Sequence, residues 1–320
     1  MTSLLNGLNW TKKFFSLKLT VAIILTIIPE IGLSHMEPLQ LQQHYLDFEY
    51  CTLWAQTWFT SQTKHKTPII FIHGGPGLES GYIINLKQLA YNQPCIFYDQ
   101  SGCGKSLLKD DICIQWTLEH YVDEFTILID RLNLDKIILF GYSWGAAIAT
   151  SYTLKNESHV EKLILASPYI STPHLIENYK QLAQSKNIYE IIHTNEYNGT
   201  LDNLEYQTVC SVFFKNFIFS KDSSIFNTLT FNKKISNEMW GPNEFSATGN
   251  LINLNLIPLL HTLQLPVLLT AGRLDTMTPE YMQLLHKKIP NSRLIIFEHS
   301  THMPHREEED AYCAALYKEI

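Results

Sequence analysis

The run Lys136-Ile137-Ile138-Leu139-Phe140-Gly141-Tyr142-Ser143-Trp144-Gly145-Ala146-Ala147-Ile148-Ala149 admits few local folds. Its apolar first half, rich in β-branched residues, reads as a buried strand, and its small-residue second half reads as a helix. Gly-x-Ser-x-Gly joins them. A strand that turns this sharply into a helix brings neighbouring backbone too close for side chains, which is why glycines flank the turn. Ser143 is pushed out above the sheet edge, where a base can take its proton. The N–H groups of the following helix can stabilise negative charge nearby. The turn is therefore a candidate nucleophile elbow.

The rest of the pattern supplies the sheet that such a turn requires. Thr67–Ile72, Pro94–Tyr98, Lys162–Ala166, Pro266–Thr270 and Arg293–Phe297 are short apolar runs that read as strands. Between two of them, Leu118, Tyr121, Val122, Phe125, Leu128, Ile129 and Leu132 recur at helical spacing. Short all-apolar strands separated by helices imply an α/β fold, with a mostly parallel sheet covered by helices on both faces. Residues 172–255 interrupt the alternation with aromatic-rich, polar sequence, and they are read as a helical cap inserted over the site. The core is then 36–171 together with 256–320, about the size of one large α/β domain.

Composition narrows the partners. With 45% hydrophobic and 12% aromatic residues the chain is globular. A net charge of −7 with no basic stripe argues against nucleic acid and suits a small cationic substrate. The cysteines at 51, 95, 103, 113, 210 and 313 form no CxxC pair and no metal-like cluster with histidine, which argues against a zinc site. Export would allow a disulfide, of unreadable connectivity. Residues 1–35 stand apart. Lys12 and Lys13 precede an apolar stretch, Leu19–Ile28, ended by Pro29. A basic flank before a short apolar core reads as a signal peptide or membrane anchor, with Gly32-Leu33-Ser34 the nearest cleavage candidate. The expectation is export or tethering; translation starting at Met36 would instead leave a cytosolic protein.

A serine nucleophile at such an elbow takes an acid and then a histidine further along the chain. Asp275 follows the strand ending at Thr270, within Ala271-Gly272-Arg273-Leu274-Asp275. His302 follows the next strand, within Phe297-Glu298-His299-Ser300-Thr301-His302-Met303-Pro304. Both lie at the sheet edge where ligands bind in open α/β folds. His299 and His305 compete with His302 for the base, and loop length favours His302. One oxyanion donor should be the N–H of Trp144, the residue after the nucleophile, and the other should come from His73-Gly74-Gly75-Pro76-Gly77. Gly102-Cys103-Gly104-Lys105-Ser106 ends like a phosphate-binding loop but has Asp99 where the first glycine belongs. It is read as a structural turn under the site.

These segments together resemble the proline iminopeptidases, the serine aminopeptidases of the α/β-hydrolase fold. The resemblance rests on His73-Gly74-Gly75-Pro76-Gly77, Tyr98-Asp99-Gln100-x-Gly-x-Gly-x-Ser106, Gly141-x-Ser143-Trp144-Gly145, Asp275 and Ser300-Thr301-His302-Met303-Pro304. It spans residues 40–320. It implies release of an N-terminal residue, proline or small hydrophobic, from short peptides with a free N-terminus, with no metal or organic cofactor. It also implies Gly75 as the second oxyanion donor and Gly74 as a substrate contact. Trp240-Gly241-Pro242-Asn243-Glu244-Phe245 looks like the cap motif of the tricorn-interacting branch, whose glutamate grips the substrate amine; this marks Glu244, with Glu205 a weaker second candidate. The chain departs from the family at Tyr142, often glycine there, and at Ser101, often Arg or Leu. Neither is expected to touch the triad, and both are expected to line or support the pocket. A carboxylesterase or amidase with the same triad, or an inactive scaffold of the same fold, are the competing readings.

Overall fold

A computed structural model gives the structure of residues 37–110, 113–221 and 224–320. Residues 1–35, expected to act as a signal or anchor, lie outside the described residues. Leu39–Ile320 is one compact unit.

The apolar runs do become strands: β3 (Ile69–Ile72), β4 (Cys95–Tyr98), β6 (Ile137–Tyr142), β7 (Val160–Ala166), β8 (Val267–Gly272) and β9 (Ser292–Phe297). They pair in parallel in the order β4-β3-β6-β7-β8-β9. A hairpin of β1 (Gln40–Asp47) and β2 (Cys51–Phe59), with the two-residue β5 (Leu107–Leu108) on β2, extends the sheet antiparallel beyond β4. Alternate residues of each strand point to opposite faces. Ile70, Ile72 and Leu139 therefore enter one buried cluster, with α1 (Leu118–Arg131) and α2 (Trp144–Asn156). Ile69, Phe71, Ile138 and Phe140 enter a second, against the 3-10 segment Ser80–Tyr91 and the late helix Glu309–Tyr317. The expected α/β architecture, a mostly parallel sheet with helices on both faces, is what forms.

Parallel pairing sets all the carboxyl ends of β3, β4, β6, β8 and β9 along one sheet edge. β4 lies on one side of β3 and β6 on the other, so the strand order reverses at β3 and a crevice opens above it. Over that edge, between β7 and β8, sit α3 (Thr172–Ser185), α4 (Tyr189–Asn198), α5 (Leu204–Phe217) and α6 (Lys233–Met239). Ser171 and Asn255 bridge at the base of this segment. Its own buried cluster is built from Ile192, Tyr206, Val209, Phe213, Phe217 and Phe245. All six cysteines are unpaired. Among the described residues no helix is long and apolar enough to cross a membrane, and no cluster could hold a metal ion.

Candidate active site

Ser143 sits between β6 and α2 with φ +50°, the left-handed conformation that a sharp strand-to-helix reversal demands and that costs energy for a residue with a side chain. Packing holds it there. The Ser143 N–H donates to the Ala166 carbonyl at 2.9 Å, and its own carbonyl accepts from Tyr169 N–H at 3.1 Å. Gly145 permits the close approach: a β-carbon there would lie 2.2 Å from the Ile72 carbonyl oxygen.

Asp275 lies beyond β8 and His302 beyond β9. His302 Nδ1 is 2.7 Å from Asp275 Oδ1. A carboxylate only accepts, so Nδ1 carries the proton and Nε2 is left as the acceptor. Asp275 Oδ1 is also held by Met277 N–H at 2.9 Å and Thr276 Oγ1 at 3.2 Å. Ser143 and His302 line one cavity of 180 Å³ with Gly75, Tyr169, Tyr179, Trp240 and Glu244. The competing histidines are elsewhere. His299 is exposed. His305 is fully buried against the rings of Tyr82, Tyr142 and Tyr312, and burial first, then the nearby Arg306 and His302, lower its pKa to about 3.

The two glycines of the early loop behave differently. The Gly74 N–H donates to Tyr82 Oη at 2.5 Å, and a β-carbon on Gly74 would stand 3.0 Å from Ser143 Cβ. Gly74 packs against the nucleophile with its amide already engaged, which leaves it poorly placed to hold substrate. Gly75 faces the cavity with φ +136°, a conformation open to glycine. Trp144 opens α2, so its N–H has no acceptor within the helix.

Gln100 is a residue whose part was not legible beforehand. Its Nε2 donates to the His73 carbonyl at 2.9 Å, and its Oε1 accepts from Trp144 Nε1 at 3.0 Å. It ties the glycine loop to the elbow. Asp99 organises the turn beneath, accepting from Ser80 N–H (2.8 Å), Ser80 Oγ (2.7 Å) and Lys105 N–H (2.9 Å).

Two expectations are corrected. Tyr142 does touch the triad: its hydroxyl donates to the His302 carbonyl at 2.7 Å, beside a second bond from Ser167 Oγ at 3.0 Å. Ser101 supports the pocket rather than lining it: it is buried beside Gln100, with its N–H on Glu124 at 3.1 Å and its hydroxyl 3.1 Å from His120 Nε2. Glu205 is not brought to the site. It is exposed in the first turn of α5, where a carboxylate complements the helix N-terminus. Glu244 stands at the cavity mouth, open to solvent. Surrounding cap atoms, then the Glu196 carboxylate, push its pKa up, while Lys233 pulls it back.

Residues 67–309 match the model of the α/β-hydrolase fold. A proline iminopeptidase of Heyndrickxia coagulans is 37% identical over 261 residues, covering 78% of this chain and 89% of that one. The chain belongs to the proline iminopeptidase family of α/β-hydrolases. A proline iminopeptidase of Saccharolobus solfataricus is 32% identical, covering 78% of this chain and 83% of its own. Within the fold, the crystal structure of a proline iminopeptidase from Mycobacterium smegmatis superposes with a TM-score of 0.78 at 25% identity, covering 87% and 97% of the two chains. In this proline iminopeptidase family member, Tyr169, Tyr179, Trp240 and the carboxylate-bearing Glu244 line the same cavity as Ser143.

Proposed function

We propose that this chain is a serine aminopeptidase that releases an N-terminal residue, proline or small hydrophobic, from short peptides. The observation that carries this reading is Glu244 on the same 180 Å³ cavity as Ser143 and His302. A cavity of this size under a cap accepts a chain end more readily than a chain middle, and a carboxylate at its mouth matches a free ammonium.

His302, oriented by Asp275, takes the proton of Ser143 as its oxygen attacks the carbonyl carbon of the first residue. The N–H groups of Gly75 and Trp144 hold the resulting oxyanion. The C–N bond then breaks, with His302 returning the proton to the leaving amine, and water attacks the acyl-enzyme to free the residue and restore Ser143. Tyr169, Tyr179 and Trp240 supply apolar walls for a proline ring or a small side chain.

The test compares proline-, alanine- and leucine-naphthylamides with amine-blocked analogues and an uncharged ester. Activity only on free amines is the expected result; equal activity on blocked substrates would assign an esterase or amidase instead. A charge-assisted hydrogen bond contributes about 1.5–3 kcal/mol, so Glu244→Gln should raise KM for free amines about 10- to 100-fold and leave the ester unaffected. Fluorophosphonate labelling lost in Ser143→Ala excludes an inactive scaffold, whereas unlabelled folded protein would favour it. Export or membrane tethering through residues 1–35 belongs to the same proposal, supported by their basic flank and apolar core. Fractionation with N-terminal sequencing tests it, and a soluble cytosolic protein starting at Met36 would overturn it.

A further inference from the structure

Glu244 is carried by a short loop, and that loop is fastened from outside the catalytic cavity. On its leading side, Trp240 Nε1 donates to the Asn243 carbonyl at 2.8 Å, and Asn243 Nδ2 donates to Ser246 Oγ at 2.8 Å. At its base, the Thr248 and Gly249 amides both donate to the Trp240 carbonyl at 2.7 Å. On its trailing side the fastening comes from another element. Glu196, on α4, accepts through Oε1 from Phe245 N–H at 2.8 Å and from Tyr206 Oη at 3.0 Å, and through Oε2 from Ser246 Oγ. The residue after Glu244 is therefore pinned by a carboxylate that already accepts three hydrogen bonds.

Glu196 itself lines a different cavity, of 350 Å³, on the far side of Tyr179 and Phe245. It does not border the space shared by Ser143 and His302. Its carboxylate is engaged by the Phe245 amide and the hydroxyls of Tyr206 and Ser246, which directs it to the loop rather than to the catalytic cavity. Its charge still reaches Glu244, which it opposes as a like charge.

We infer that Glu196 is the positioning residue for amine recognition: it fixes the Phe245 amide so that Glu244 faces Ser143, and it adds negative charge behind Glu244. The inference rests on the reading of Glu244 as the amine-binding group. When a substrate ammonium arrives it faces two carboxylates, one in contact and one behind, and the repulsion between them is relieved.

Glu196→Gln and Glu196→Ala separate the two contributions. Glutamine keeps an acceptor for the Phe245 amide but loses the charge; alanine loses both. Groups facing Glu244 besides Glu196 are Lys233, the hydroxyls of Tyr179 and Tyr206 and the thiol of Cys210, the hydroxyls and thiol all pushed far above neutrality chiefly by burial. The steady-state constants of both variants and of Glu244→Gln are measured on proline-naphthylamide and on a naphthyl ester lacking the amine. For the amide, KM should rise about tenfold in Glu196→Ala and about threefold in Glu196→Gln, with ester constants within about twofold of the parent. In Glu196→Gln the acid limb of the amide KM should also move to lower pH, because Glu244 loses a like-charged neighbour. The double variant Glu196→Gln/Glu244→Gln should exceed Glu244→Gln in KM by less than the roughly threefold rise of the Glu196→Gln single variant. An unchanged amide KM in both Glu196 variants, with Glu244→Gln still impaired, overturns this inference and leaves the amine reading standing. So does an equal rise on amide and ester, which marks general damage to the cap. An unchanged KM in Glu244→Gln removes the amine reading itself. Should Glu196→Ala not fold, the glutamine variant and its pH profile decide alone.

Discussion

Tyr142 stands between the nucleophile and the base without belonging to either. Its ring lies 5.3 Å from that of His302 and its hydroxyl holds the histidine's backbone. A neutral hydrogen bond is worth about 0.5–1.5 kcal/mol, and Ser167 supports the same carbonyl, so Tyr142→Phe should lower kcat roughly 3- to 10-fold with little change in KM. Steady-state kinetics on a proline amide measure this; a KM effect without a kcat effect would place Tyr142 among the binding residues instead. Ser143, Asp275 and His302 were legible because each follows a recognisable strand at the same sheet edge. Tyr142, Gln100 and Glu196 were not. Their partners lie 160, 44 and 49 positions away in the chain, and a hydrogen bond of that reach leaves no local pattern.

Among the elements, those with internal apolar runs were visible in sequence and those defined by neighbours were not. β3 and β6 are buried on both faces and read as continuous apolar stretches. β1, Gln-Leu-Gln-Gln-His-Tyr-Leu-Asp, is a mostly exposed edge strand held by its pairing with β2, and its polarity hides it. The junction between cap and core was equally hidden. Asn232 Oδ1 caps α6 through the Lys234 and Ile235 amides, its Nδ2 reaches the Gly102 carbonyl at 2.8 Å, and its own amide donates to the Gly77 carbonyl at 2.8 Å. Loss of the cap costs about 1 kcal/mol and loss of the long-range bond about as much again, so Asn232→Ala should lower stability by about 2 kcal/mol. The denaturation midpoint measures this, and a change under about 0.5 kcal/mol, the range of ordinary surface substitutions, would deny the junction its role.

At the scale of the whole molecule, two buried groups titrate in opposed senses. Glu124 is fully buried beneath the Gln100–Ser101 turn, and desolvation raises its pKa from 4.5 to about 7 against the hydrogen bonds from Ser101 and Tyr50. Between those values the unfolded chain has released this proton and the folded chain still holds it, so the Glu124 contribution falls as pH rises and stays low above about 7. His305 acts the other way. Its folded pKa is depressed from 6.5 to about 3, so its contribution is present above 6.5 and is lost as pH falls towards 3. Glu124→Gln removes the first titration alone. Its Tm should exceed the parent's by more at pH 8 than at pH 5, as read by thermal unfolding; a pH-independent difference would mean that Glu124 is ionised in the folded protein.

The three groups that perform the proposed chemistry are widely separated in order of synthesis. Ser143 emerges with β6, near the middle of the chain, whereas Asp275 and His302 follow β8 and β9. The elbow and its neighbours β3, β4 and β7 all precede the acid and the base in the chain. A nascent chain halted before β9 would present a shaped serine with no base to take its proton. Hydrolytic competence therefore requires the turn after β9, which carries His302 and is held under the hydroxyl of Tyr142.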